Sequence, residues 1–303
     1  MPVRRLHAYF LLLLVALIWG IAGSVIKFTQ EGISTLPFLT YRFAIAGIFG
    51  LGVIVFSKDK LPKDPLEFAG VALYGILISA VSLGLLFWGV ENTSVVEMNL
   101  ISATSPLVIS VAGVHFLKEH LTKREKFGLL IAFIGTLFVI FEPFNGIKNY
   151  NQHVLGNFLV FGYVLINAYA VVMGKRLLRK GYSPKFLTNS SFVFGFLAIA
   201  IFSVYKLGLG AIVSSVQNLA LPYHLGVIYM ALISGTLAYL FSNKAQKSIE
   251  VGESSVFGYL IPIFGVPVAI VWLGEKITTN FIVGAIIIAL GVFVAEIKKK
   301  RYN

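Results

Sequence analysis

Along this chain, apolar stretches of about twenty residues alternate with short polar or turn-forming breaks: EGIST, SKDKLPKDP, ENTS, KEHLTKREK, EPFNG, KRLLRKGYSPK, KLGLG, QKSIEVGE and EKITTN. The pattern predicts ten apolar helices, near 6–26, 36–56, 66–89, 95–116, 126–141, 154–174, 186–206, 224–243, 254–273 and 281–297. A bilayer core takes roughly 20 apolar residues per helical crossing. Lipid tolerates only helices or closed barrels, and no alternating ten-residue strands are present. The fifth and tenth segments are short, and are expected to draw in part of the polar turn before them.

One part of this pattern occurs twice. Glu97 to Gly135 maps without a gap onto Glu253 to Gly291, 156 positions on. Glu97/Glu253, Pro106/Pro262, Leu117/Leu273, Glu119/Glu275, Thr122/Thr278, Gly128/Gly284 and Gly135/Gly291 all share that offset. The earlier helices match more weakly, with Lys27/Lys175, Phe38/Phe186 and Gly47/Gly195 at an offset of 148. Internal repetition fixes architecture before anything else. It predicts an all-α polytopic membrane protein in two five-helix halves, 1–147 and 148–303. Five is odd, so the second half is expected to run through the membrane inverted. Inverted repeats around a midplane site are characteristic of secondary transporters.

Charge sets the orientation. If the N-terminus is cytoplasmic, Lys27, Lys148, Lys206 and Lys276 lie outside and Arg42 lies within the second helix; the remaining twenty of the 25 lysines and arginines fall in cytoplasmic segments. By the positive-inside rule both termini are cytoplasmic. The run Lys175, Arg176, Arg179 and Lys180 reads as a topological anchor. The net charge of +12 therefore belongs to the inner face of the cytoplasmic membrane, not to nucleic acid. MPVRR followed by Leu6 to Ile18 resembles a signal peptide, but it lacks a polar cleavage region and stays apolar to Ile26, so an uncleaved first span is expected. At 57% apolar and 13% charged residues, an ordinary soluble domain is excluded. There is no cysteine, and the five histidines have no metal-ligand spacing. No paired carboxylates, HExxH, nucleophile motif or Gly-rich phosphate loop occurs. Neither metal, cofactor nor enzymatic activity is expected.

The run YLIPIFGVPVAIVWLGEKITTNFIVGAIIIALG, its first-half counterpart, Trp19-Gly20, and YRFAIAG at Tyr41 to Gly47 resemble the EamA-type transporters of the drug/metabolite transporter superfamily, over the whole chain. The resemblance implies a ten-helix inverted-repeat carrier, often an exporter of amino acids or other small metabolites. The chain departs from the family's usual Gly-Glu pair at Lys118 to His120, which reads KEH.

A proline within a helix leaves the carbonyl four residues earlier unpaired. Pro106 would free that of Ser102, and Pro262 that of Gly258. Polar side chains at helix midpoints extend this candidate site: Trp19, Asn99, Ser102, Tyr163, Asn167, Tyr239, Asn243 and Tyr259. Each of them could also serve as interhelical glue. Together they suit an uncharged or zwitterionic solute with an apolar part. Arg42 reads either as a snorkelling interfacial side chain or as a gate or carboxylate partner. Glu97 and Glu253, in the first turns of their helices, read as caps or as coupling groups. Glu119 and Glu275 read as interfacial anchors, and the glycines at 128, 135, 284 and 291 as close-packing sites. No Asp or Glu falls in the middle of a span, which disfavours a proton-coupled drug exporter. The expected function is export of a small organic metabolite, amino acids among them, by alternating access, with lipid as surroundings and the monomer as unit. The alternatives are a carrier of phosphorylated sugars or nucleotide-sugars, which would call for several pocket cations, and a broad-specificity drug exporter.

Overall fold

The computed structural model describes residues 3–57, 59–117, 123–140, 150–249 and 251–296, and every regular element among them is helical. In order they are α1 (Val3–Gln30), α2 (Thr35–Val55), α3 (Pro65–Asn92), α4 (Val95–Leu117) and α5 (Lys123–Ile140). Then follow α6 (Tyr150–Arg179), α7 (Pro184–Leu207), the short α8 (Leu209–Gln217), α9 (Leu221–Ser248), α10 (Val251–Leu273) and α11 (Thr279–Glu296). Eight of these are long and apolar enough to cross a membrane, and α5 and α11 carry the shorter apolar stretches Lys126–Val139 and Phe281–Val294. Side chains such as Phe56, Val271, Ile201 and Phe293 are exposed on the outside of the bundle. Water disfavours so much bare apolar surface, whereas lipid accommodates it. The architecture is that of a multi-pass membrane protein.

Helix ends follow local chemistry. Asp64 accepts from the Glu67 N–H at 2.8 Å with Pro65 just inside α3, and Ser183 accepts from the Phe186 N–H with Pro184 just inside α7. α6 does not stop before the basic run but continues through Arg179. It closes at Gly181 (φ 94°), where the Tyr182 N–H donates to the Leu177 carbonyl and the Gly181 N–H to that of Leu178.

The prolines break helices outright. α4 stops at Ser102, turns through Ala103 and Thr104, and resumes at Ser105. Pro106 is therefore the second residue of a fresh segment, where its missing N–H costs little. α10 has an α-helical start, a 3-10 stretch over Val256–Leu260, and a final α-segment from Ile261 in which Pro262 again comes second. Pro267, which has no first-half counterpart, lies inside that last segment. Both α3 and α9 contain π-helical turns, Ile76–Val81 and Tyr229–Leu237.

α1 packs against α9 and α10, whereas α6 packs against α3 and α4. α5 and α11 meet with almost no space between their backbones. A Cβ on Gly291 would stand 2.5 Å from the Ala132 nitrogen and 2.6 Å from the Gly128 carbonyl oxygen; one on Gly135 would stand 2.9 Å from the Ile288 nitrogen. Glycine is what permits this approach, as the spacing suggests.

One member of the basic run, Lys175, requires a correction, while Arg176, Arg179 and Lys180 are exposed. Lys175 is 7% exposed and is not a free surface anchor. Its ammonium donates to the carbonyls of Gln246 and Ile249, at the C-terminus of α9. Lys27 does the same for α3, donating to the carbonyls of Val90 (2.7 Å), Glu91 (3.3 Å) and Thr93 (2.9 Å). The last carbonyls of a helix lack intrahelical partners and carry partial negative charge, so a buried lysine is well placed there. Glu119, the KEH turn, Lys148 and the basic residues at 298–301 lie outside the described residues.

Candidate functional site

A cavity of about 150 Å³ lies between α1, α3, α4, α6, α9 and α10, with Arg42 of α2 in its wall. That volume matches the space a benzene ring takes in an engineered protein cavity. The wall is made of helical stripes at spacings of three or four, each one face of its helix. On α4 the stripe is Met98, Ser102, Ser105 and Ile109; on α6 it is Tyr163, Asn167 and Val171; on α9 it is Tyr239, Asn243 and Gln246. The broken regions contribute Pro106 from α4 and Gly258 with Pro262 from α10.

The sequence candidates divide accordingly. Trp19, Ser102, Tyr163, Asn167, Tyr239, Asn243, Pro106, Pro262 and Arg42 are brought together around the cavity. Some of their polar groups are already engaged. The Trp19 indole N–H donates to the Ser234 carbonyl in the π-turn of α9 at 3.0 Å, and the Asn243 amide donates to Thr188 Oγ1 at 2.9 Å. Trp19 meets Tyr239 edge-on at 5.2 Å, and Tyr239 meets Phe192 edge-on at 5.7 Å, which makes one side of the cavity aromatic.

Four candidates lie elsewhere. Asn99 is one residue, about 100° of helix turn, away from Met98. It is fully buried, donates to the Val95 carbonyl, and packs so close that a Cβ on Gly265 would stand 2.6 Å from its oxygen. Asn99 is a packing residue between α4 and α10. Tyr259 lies one residue off the Gly258 face and is outside the cavity wall. Glu97 closes a capping box with Ser94 and also accepts from Thr93 Oγ1, while His153 Nε2 lies 2.8 Å from its carboxylate. Glu253 accepts from the Tyr9 hydroxyl and lies 4.0 Å from Arg5. Neither glutamate reaches the cavity.

Glu275 is a cap rather than an interfacial anchor: its two carboxylate oxygens accept from the Val95 and Val96 N–H groups at 2.8 Å each, at the start of α4. Burial pushes its carboxyl above the ordinary range, against the effect of those two N–H groups.

Arg42 corrects the snorkelling alternative. It is 1% exposed, seven residues into α2, with its guanidinium over the rings of Phe43 (5.3 Å) and Phe87 (5.0 Å). At 1% exposure the side chain is packed inside the bundle rather than extended to the interface. Among the described residues, its Nε and Nη1 meet no hydrogen-bond acceptor.

Sequence reasoning missed Tyr74, Ser234 and Gln246, which also line the cavity. Tyr74 and Gln246 carry a polar-residue signal like that of the accepted candidates. Ser234 depends on the π-turn of α9, which hydropathy does not register.

A family model described as the EamA-like transporter family matches residues 6–141 and 154–296. The chain belongs to the EamA-like transporter family. Relatives of this EamA-like chain include a Bacillus subtilis protein named as an uncharacterized transporter, YyaM, 26% identical over 99% of this chain and 97% of its own length. An Archaeoglobus fulgidus protein, also named as an uncharacterized transporter, is 25% identical over 96% of this chain and 99% of its own. A Salmonella typhimurium protein named as a probable amino-acid metabolite efflux pump is 24% identical over 94% of this chain and 93% of its own. A solved crystal structure superposes with a TM-score of 0.67 at 15% identity, covering 96% of this chain and 98% of that one, which shows a shared fold.

Proposed function

We propose that this chain is a secondary transporter that moves small organic metabolites, amino acids among them, out of the cytoplasm by alternating access. The observation that carries the reading is the cavity between the broken helices α4 and α10. Irregular backbone at membrane depth is tolerated where it is buried in protein or lines such a space, and transporters place substrate sites at interrupted helices. The transporter names of the relatives support the class. The amino-acid metabolite efflux named for one of them favours both substrate class and direction.

The halves 1–147 and 148–303 act, in this reading, as inverted repeats in the cytoplasmic membrane with both termini inside. Ten crossings result when α5 and α11 cross with the eight longer helices. The equivalent roles of Lys27 and Lys175, the exchange of α1 and α6 between halves, and the glycine seam of α5 with α11 support the repeat. A carrier of phosphorylated sugars is less well supported, since Arg42 is the one charged side chain in the cavity wall among the described residues.

The test is exchange in proteoliposomes loaded with a metabolite mixture that includes amino acids. Uptake of at least one labelled member, lowered at least about tenfold by Asn167→Ala or Tyr163→Ala through loss of a contact in the site, supports the proposal. Failure of every amino acid and related metabolite to exchange sinks it.

A further inference from the structure

Among the described residues, the cavity wall holds a cation with no countercharge. Arg42 is 1% exposed, lines the cavity from α2, and has two nitrogens without an acceptor among the described residues. Among the described residues, no Asp or Glu belongs to the cavity wall. The faces of Phe43 and Phe87 offer the guanidinium some compensation, but a buried charge needs a full countercharge or hydrogen-bonded partners to balance its loss of water. Gly235 in the π-turn of α9 packs against the same guanidinium: a Cβ there would stand 3.6 Å from Arg42 Nη2. The rest of the wall supplies an aromatic surface at Trp19 and Tyr239 and neutral polar groups at Asn167, Asn243 and Ser102.

We infer that the missing countercharge arrives with the solute: the cavity selects an organic monocarboxylate with a compact apolar body, and Arg42 is its carboxylate partner. This rests on the transporter reading and narrows its substrate class. The neutral polar and aromatic side chains of the wall suit an uncharged or zwitterionic solute; the buried Arg42 adds the requirement for a carboxylate, which an amino acid also carries. A guanidinium presents its N–H groups as a planar fork matched to a carboxylate. The aromatic side then takes the apolar body, and a cationic solute is repelled by the unopposed positive charge.

The experiment is a thermal-shift titration of the purified full-length protein in detergent with matched acid and amide pairs. The pairs run from acetate and acetamide through isovalerate and isovaleramide to benzoate and benzamide, so shape is held nearly constant while charge changes. At least one carboxylate is expected to raise the melting temperature with an affinity at least about tenfold above its amide, the size expected for a hydrogen-bonded charge. Arg42→Gln abolishes that preference, and Arg42→Lys keeps part of it. Amides that bind as well as their acids, or no stabilisation by any carboxylate in the series, overturn the inference. The wild-type comparison stands alone if Arg42→Gln does not fold. An amide that binds equally and also exchanges in proteoliposomes overturns anion selection while leaving the transporter reading in place.

Discussion

Lys175→Met tests whether a buried lysine holds the end of α9. Methionine keeps most of the apolar stem and removes the ammonium that donates to the Gln246 and Ile249 carbonyls. Hydrogen bonds from a charged donor contribute about 1.5–3 kcal/mol each, so the gross loss is about 3–6 kcal/mol. Part is returned because the ammonium no longer has to be buried, leaving a net cost of about 2–4 kcal/mol. Lys180→Met, one turn on and exposed, should cost less than about 0.5 kcal/mol. Lys27→Met removes three equivalent carbonyl contacts at the end of α3 and should behave like Lys175→Met. The assay is reversible unfolding of the purified protein in mixed micelles of rising SDS fraction, followed by circular dichroism. Lys175→Met within about 0.5 kcal/mol of wild type, or Lys180→Met as costly as Lys175→Met, would refute the capping argument.

Three other outcomes are expected. Gly291→Ala forces a methyl into the backbone of α5, where nothing can yield, and should cost about 1–3 kcal/mol in the same unfolding assay; Gly252→Ala, with open space around its Cα, should cost nothing. Asn99→Ala should lower stability by about 1–3 kcal/mol through lost packing and its lost hydrogen bond, while Asn167→Ala should lower transport in proteoliposomes with little change in stability; the reverse pattern would overturn their placement. Because Glu275 has a raised folded-state pKa, its ionisation disfavours the fold. Its contribution is complete below the ordinary glutamate value of about 4.3 and is lost as pH rises through the folded value. Wild type should therefore lose stability relative to Glu275→Gln across that window, and parallel pH profiles would refute the assignment.

What the sequence shows and hides follows from the range of the forces involved. The helices are legible because hydrocarbon imposes a length and a composition on every crossing. Pro106 and Pro262 are legible because a missing N–H is a property of one residue, although the depth of the break, a full interruption of α4 at Ala103 and Thr104, is set by packing. Lys175 illustrates the limit. Its charge reads as an anchor, and only the tertiary approach of the end of α9 makes it a cap. Arg42 likewise looks shallow by residue count until Phe43 and Phe87 close over it. Asn99 and Asn167 are the same residue type within apolar helices, and the helix face each occupies separates packing from lining. The π-turns of α3 and α9 change hydrogen-bond register without changing composition, so no periodicity marks them.

Alternating access requires a cavity that opens in turn to each side of the membrane. Because the chain contains no cysteine, Ser102→Cys and Ser242→Cys each introduce a single thiol into the cavity wall. A membrane-impermeant maleimide should label both positions from either face, in right-side-out and in inverted vesicles. Labelling confined to one face, or absent from both, would contradict alternating access around this cavity.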